Sequence, residues 1–259
     1  MDRTKGCGPF NPSSNLGRGI NKVIFNNLGD AMKISFIIPT RNEEKYIGGC
    51  LQSIKNQKKK NYEIIVVDTL SEDDTVKIAK RYQAKIIKEP RRGISFGRNT
   101  GAKKAKGEIL VFTDADVRFE KDFTEKIDEK FKDDIGGGIL NLTFFDGNSF
   151  DRFAFRFWNF IIKNLIRSGF VMTNGSCFVY EKKLFWAVNG FDESLTTNED
   201  NDLARRISKL KRFCFFNDIV AYTSIRRTAK NGYLKYIKIH TKATLLYFIN
   251  RKSLSGYWD

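Results

Sequence analysis

Asp114 and Asp116, in Thr113-Asp114-Ala115-Asp116, follow the apolar run Ile109-Leu110-Val111-Phe112. Two carboxylates one residue apart, on a loop just beyond a buried strand, can offer hard oxygen ligands to a divalent cation. Mg²⁺ typically accepts one or two protein carboxylates and fills the rest of its shell with phosphate oxygens and water. An ion held that way offsets the charge that builds on a departing diphosphate, so Mg²⁺ or Mn²⁺ is the expected cofactor. Both acids are expected to face a cleft; taken alone, the pair also fits a turn with two solvated acids. Asp68 closes a second apolar run, Ile64-Ile65-Val66-Val67, where a carboxylate can accept hydrogen bonds from a base or ribose. Ser71, Asp73 and Asp74 read as helix or turn caps. Glu199-Asp200 lies in Thr197-Asn198-Glu199-Asp200-Asn201-Asp202. Capping explains such a stretch, yet acids concentrated in a basic protein also suit a general base.

These residues need strand ends to carry them. Ile34-Ser35-Phe36-Ile37-Ile38 is a buried-strand run ended by Pro39, and an apolar stripe from Tyr46 to Ile54 predicts a helix over 43–56, opened by Thr40 and Asn42. Strands over 63–67, 84–87 and 108–112 alternate with helices over 75–82 and 97–105. That alternation indicates βαβ units and a parallel sheet, whose ligand site lies beyond the carboxyl ends of its strands. Pro39-Thr40, Asp68 and Asp114 all fall there. The second half is less regular: a strand over 135–145, helices over 151–167 and 203–209, a strand over 213–216 and a basic helix over 232–250. Residues 1–31, rich in Gly and Pro, read as a flexible leader, and Met32 is a candidate translation start, with Gly29-Asp30 a translated ribosome-binding sequence. The expected division is leader 1–31, catalytic domain 32–230 and C-terminal helix 231–259.

The 259 residues carry 46 Lys and Arg against 30 Asp and Glu, a net charge of +16. From Leu203 onward, 13 Lys and Arg face only Asp218 and Asp259, which points to an anionic partner. No apolar run approaches the ~18 residues of a membrane span, and the start lacks a secretory signal. Four cysteines are too sparse for a disulfide scaffold and too scattered for CxxC metal spacing, so a reducing cytoplasm is the expected setting.

The order of these features resembles the inverting glycosyltransferases of family 2. The matching segments are Ile37-Ile38-Pro39-Thr40-Arg41-Asn42-Glu43-Glu44, Val66-Val67-Asp68-Thr69-Leu70-Ser71-Glu72-Asp73-Asp74-Thr75, Gly97-Arg98-Asn99-Thr100-Gly101, Thr113-Asp114-Ala115-Asp116, Asn189-Gly190-Phe191-Asp192-Glu193 and Glu199-Asp200-Asn201-Asp202-Leu203-Ala204-Arg205-Arg206. Their order is more specific than any one of them, and the resemblance spans about residues 33–230. It implies an α/β GT-A fold, a Rossmann-like, mostly parallel sheet flanked by helices, with a helical C-terminal extension. Pro39, Thr40, Asn42, Glu43 and Asp68 would then line the nucleotide pocket, and Arg98 would approach the base or diphosphate. Asp114 and Asp116 would hold the metal, Asp114 also touching the donor, and Asp200 would be the base. Arg206 would order the site. The implied donor is a UDP- or GDP-sugar and the implied acceptor a glycan or a lipid-linked hydroxyl.

Many family members place a His after the last sheet strand to complete the metal site; here Tyr222-Thr223-Ser224-Ile225-Arg226-Arg227 stands instead. Arg226 and Arg227 can bind the diphosphate directly, because guanidinium matches phosphate oxygens bidentately. His240, the one histidine, reads as a helix-surface or packing residue. Residues 144–160 hold eight aromatics, and Arg152, Arg156, Lys163 and Arg167 make one basic stripe along the same helix. A basic stripe beside a wide aromatic face suits an anionic membrane surface as well as it suits a packed helix; on the first reading the cytoplasmic protein is peripheral at the inner face of the membrane, on the second it is not. Two rivals fit less well. A nucleotidyltransferase should show a Gly-rich phosphate loop after its first strand, and a nucleic-acid-binding module should interleave aromatics with cations on exposed strands. Neither explains Asp114-Ala115-Asp116 together with Glu199-Asp200.

Overall fold

The computed structural model describes residues 6–9, 33–131 and 134–226, with positions 229, 232, 238, 241–244 and 246–247. Most of the leader, Arg227, His240 and the chain from 248 lie outside the described residues.

Four parallel strands form the first part of the sheet. β1 (Ile34–Thr40) leads through helix α1 (Glu44–Lys55) to β2 (Tyr62–Asp68), and α2 (Thr75–Arg81) leads on to β3 (Lys85–Lys88). After α3 (Ile94–Lys104) the chain crosses to the other side of β1 and enters β4 (Ile109–Thr113). The strand order is thus β3-β2-β1-β4, and the chain reverses direction across the sheet between β1 and β4, the place where open α/β sheets bind ligands. β1, β2 and β4 are buried on both faces, which is why they read as continuous apolar runs rather than alternating ones.

α3 lies against β1 and β2 at a distance only glycine permits. A Cβ on Gly101 would meet Ile37 Cγ2 at 2.4 Å, and one on Gly97 would meet Pro39 Cβ at 3.2 Å. This close contact carries Arg98 and Asn99 into the interior.

The second part mixes directions. β5 (Arg118–Phe119), α4 (Phe123–Lys130), β6 (Ile135–Phe144), α5 (Ser149–Arg167), β7 (Cys177–Glu181), α6 (Lys182–Ala187), α7 (Glu199–Ser208) and β8 (Arg212–Thr223) follow in that order. β7 pairs antiparallel with both β4 and β6, β8 runs parallel to β6, and β5 closes the edge antiparallel to β8. The eight-stranded order is β3-β2-β1-β4-β7-β6-β8-β5.

Several expectations change here. β5, α4, β7 and α6 were not predicted. α7 begins at Glu199 rather than near Leu203, so Glu199, Asp200 and Asp202 form its first turn, where carboxylates complement the helix dipole. β8 runs to Thr223, past exposed Asn217 and Asp218, with a register shift opposite Leu140 and Asn141. The cysteines also form one crosslink. Cys7 and Cys214 are joined as a disulfide, 207 residues apart in sequence, which spacing alone did not reveal. Of the predicted C-terminal helix, residues 238, 241–244 and 246–247 are helical; Tyr247 donates to Asp202 Oδ1 at 2.8 Å and docks this segment on α7.

Candidate functional site

The first wall is made by two interlocked loops. Beyond β1, Asn42 adopts a positive φ of 54°, a conformation Asn tolerates better than most residues. The N–H groups that open α1 are satisfied by the loop after β2. Asn42 N donates to Ser71 Oγ (2.9 Å), Glu43 N to Thr75 Oγ1 (2.7 Å) and Glu44 N to Asp73 Oδ2 (3.0 Å). Asn42 Oδ1 and Glu44 Oε2 accept in return from Glu72 N and Asp74 N. Asp73 therefore caps two helices, α1 and its own α2 through Thr75 N. α1 carries no cap of its own, so Thr40 and Asn42 do not open it as expected. Asp68 lies just inside, 4% exposed, accepting from Ser71 N at 3.1 Å and Thr40 Oγ1 at 3.3 Å.

The pair after β4 is drawn inward rather than left facing the cleft: Asp114 is 6% and Asp116 5% exposed. Each faces an arginine, Asp116 facing Arg226 and Asp114 facing Arg98. Arg226, at the end of β8, donates through Nε to Asp116 Oδ2 at 2.8 Å and grips Glu43 with Nη1 and Nη2 at 2.7 and 2.9 Å. Its guanidinium also stacks over Tyr46, 4.3 Å from the ring centroid. Burial works against its charge, but its hydrogen bonds to Glu43 and the charges of Asp116 and Glu43 outweigh that and hold its pKa above the ordinary value. Asp116 Oδ1 is buried with no hydrogen-bond partner. In front lies a cavity of about 610 Å³ bordered by Asn42, Glu44, Tyr46, Glu72 and Arg226.

Arg98 supports the floor. It is 2% exposed, lies 4.7 Å from the Phe178 ring and 5.3 Å from the Phe191 ring, donates to Glu199 Oε1 at 2.7 Å and stands 3.7 Å from Asp114 Oδ1. Its guanidinium thus links Asp114 to Glu199 at the start of α7, while its Nε is buried without a hydrogen-bond partner.

α7 starts from Asn198, itself at a positive φ of 62°. Asp200, 7% exposed, accepts from the Thr173 hydroxyl through Oδ2 and from Asn201 N at 2.9 Å through Oδ1. Glu199 is fully enclosed. Burial and the neighbouring Asp200 charge push its carboxyl up to about 7, against the opposing pull of Arg98. Arg206 binds Asp202 Oδ2 at 2.7 Å and the Val188 carbonyl, holding the helix to the chain before it. Among the described residues no third His, Cys, Asp or Glu joins Asp114 and Asp116.

Residues 35–188 match the model of glycosyl transferase family 2. The chain belongs to glycosyl transferase family 2. It is 36% identical over 99 residues to the Staphylococcus aureus poly(ribitol-phosphate) beta-N-acetylglucosaminyltransferase TarS, covering 35% of this chain and 17% of that one. It is 37% identical over 108 residues to a Methanococcus voltae dolichyl N-acetyl-alpha-D-glucosaminyl phosphate 3-beta-D-2,3-diacetamido-2,3-dideoxy-beta-D-glucuronosyltransferase, covering 38% and 34%. Both matches span well under half of the relative's length. TarS 1–349 in complex with UDP-GlcNAc superposes with a TM-score of 0.63 at 24% identity, over 74% of this chain and 58% of that one. The Pyrobaculum calidifontis mannosyltransferase in complex with GDP-Man and Mn²⁺ gives 0.63 at 20%, over 89% and 68%. The fold is that of the GT-A transferases.

Within this family 2 chain the structure brings Thr40, Glu43, Asp68, Asp114, Asp116, Arg226 and Asp200 to one end of the sheet, while Arg227 lies outside the described residues. Sequence reading missed Tyr46 and Thr173. Tyr46 counted only as one member of α1's apolar stripe, and Thr173 lies in a stretch with no periodic signal.

Proposed function

We propose that this chain transfers a sugar from a UDP- or GDP-sugar to an acceptor hydroxyl with inversion, using Asp200 as the base. The observation that carries this reading is the arrangement of charge at one end of the sheet. Carboxylates and Arg226 lie beyond β1, β2 and β4, and a separately held carboxylate opens α7. A one-step displacement needs those two parts. The acceptor oxygen forms its bond to the anomeric carbon as the bond to the diphosphate oxygen breaks, and the hydroxyl proton passes to Asp200. The Thr173 hydroxyl and the Asn201 N–H keep Asp200 oriented for that transfer.

On the donor side, Asp68 is placed to accept from the nucleoside, with Pro39, Thr40 and Asn42 shaping the wall. Arg226 is placed to exchange Glu43 for diphosphate oxygens, which its planar fork fits equally well. Asp114 and Asp116 fit a divalent ion, since the orphaned Asp116 Oδ1 is a buried acceptor in need of a cation. When bound, such an ion would offset charge on the leaving diphosphate. Arg98 acts through Asp114 and Glu199 as a positioning residue. The aromatic surface of α5 favours a lipid-linked acceptor over a soluble glycan, and with it a peripheral place at the inner face of an anionic membrane.

The test is thermal protection and hydrolysis across a panel of UDP- and GDP-sugars, with and without Mn²⁺ or Mg²⁺. A donor at ~100 times its Kd should stabilise the fold by about 2.7 kcal/mol. If no nucleotide sugar in the panel protects or is turned over, the proposal fails.

A further inference from the structure

α5 crosses the far ends of β6 and β8 and leaves a groove of about 670 Å³ beneath it. The helix is anchored by a capping box, with Asn148 Oδ1 accepting from Asp151 N and Asp151 Oδ2 from Asn148 N. Arg152, Arg156, Asn159 and Lys163 stand at offsets of 0, 4, 7 and 11 residues, which at ~100° per residue confines them to an arc of about 60°. All four line the groove. The basic stripe expected to flank a membrane thus turns into a cavity at three of its four positions; Arg167 is not among the lining residues.

The chemistry of the groove is one-sided. No Asp or Glu lines it, and none of the three cations forms an ion pair with a described residue. Lys163 Nζ donates only to a neutral amide, Asn217 Oδ1, at 3.1 Å. Asn159 is 5% exposed. Its Nδ2 is spent on Asn141 Oδ1 at 3.1 Å and the Leu142 carbonyl at 2.6 Å, while its Oδ1 is buried with no partner. Three cations beside one unanswered acceptor suit a phosphate that carries hydroxyl groups.

The next face of the same helix is apolar and bare. Phe153, Phe157 and Phe160 are 66%, 59% and 61% exposed, and they lie about 80–140° around the helix from Arg152. Aromatic rings of that exposure, next to a cationic groove, match the boundary between headgroups and acyl chains. No described helix is long and apolar enough to cross a membrane.

We infer that the groove under α5 is a binding site for the phosphate of a lipid headgroup, with the Phe153, Phe157 and Phe160 face seated in the acyl boundary beside it. The inference rests on the proposed function and deepens its acceptor side, naming a lipid-borne phosphate as the part of the acceptor that α5 holds.

Co-sedimentation of the full chain with phosphatidylcholine vesicles, with and without phosphatidylglycerol, tests it. Attraction to anionic headgroups gives roughly a fivefold change in partitioning per basic residue held within about a Debye length of the membrane, and little for one held farther away. The Arg152→Gln/Arg156→Gln/Lys163→Gln variant is therefore compared with a charge-matched control, Lys77→Gln/Lys80→Gln/Lys103→Gln. The groove variant should lose about 10²-fold in partitioning to the phosphatidylglycerol vesicles and the control less than about tenfold. Phe153→Ser/Phe157→Ser should weaken binding to both kinds of vesicle. Equal losses in the groove variant and the control overturn the inference. So does protection of the protein by glycerol phosphate in solution without vesicle binding, and so does a dimer that the Phe variant dissociates. Nucleotide-sugar hydrolysis in each variant reports folding, and it stays intact if only this inference fails. Absence of hydrolysis in the unmodified chain would count against the donor reading and leave the vesicle result interpretable.

Discussion

The parallel half of the sheet, proposed to hold the donor, and the mixed half, proposed to face the acceptor, are built differently. β1 to β4 run parallel, their ends supply Thr40, Asp68 and Asp114, and the loops after β1 and β2 cap one another's helices. β5 to β8 mix directions and shift register twice between β6 and β8. There the candidate residues come from a helix start, Asp200, and from the chain just past β8, Arg226. A parallel sheet closes the same kind of crevice wherever it reverses direction, which suits a ligand with a constant part such as a nucleotide diphosphate. A mixed sheet with long connections can be rearranged without disturbing that crevice. The Arg98–Glu199 ion pair, at 2.7 Å, is where the two halves are tied together.

Predictions that separate the halves run from chemistry to packing. Asp200→Asn should lower transfer by ~10²–10⁴-fold with donor affinity retained, measured as single-turnover transfer alongside donor titration. Loss of donor affinity would mean that the halves do not divide as described. Asp116→Asn should cost ~10²–10³-fold in turnover and remove stimulation by Mn²⁺. Asn is chosen over Ala because both acids are buried and Arg226 needs an acceptor there.

Glu199→Gln addresses the tie itself. The Glu199 carboxyl, pushed up to about 7 from an unfolded value of 4.5 by burial and by Asp200, holds in the folded state a proton that the unfolded chain releases between those values. Its contribution to stability is complete below pH 4.5 and is lost as pH rises through 7, about 3 kcal/mol in all. In the Gln variant that slope disappears, which urea unfolding on either side of the window measures. A slope unchanged by the substitution would place the titrating group elsewhere. The smallest effect belongs to the donor half alone. Gly101→Ala forces a Cβ to within 2.4 Å of Ile37 Cγ2 and should destabilise the fold by ~1–3 kcal/mol, read as a lowered Tm, with the acceptor-side chemistry unchanged in the folded fraction.

The parallel half was legible because burial on both faces writes itself as unbroken apolar runs. Ile64 to Val67 and Ile109 to Phe112 admit few other readings when Gly-, Asp- and Thr-rich turns bound them. β7 escaped notice because five residues joined directly to a short helix carry neither a period nor a turn signal. α7 started earlier than expected because an Asn at positive φ, rather than a side-chain cap, begins it.

By itself the sequence determined which acids are present, the strand ends that carry Asp68 and Asp114, and the order of motifs that marks the family. Tertiary structure decided what each charge faces. Arg98 and Arg226 have the same guanidinium. One is packed between Phe178 and Phe191 under the site, and the other closes over Glu43 and Asp116 at its mouth. Arg152, Arg156 and Lys163 make a stripe in any helix, but only the position of α5 over β6 and β8 turns that stripe into a cavity. Periodicity fixes the direction of a side chain relative to its own element. The field it sits in comes from elements up to 183 residues away, as Arg226 and Glu43 are.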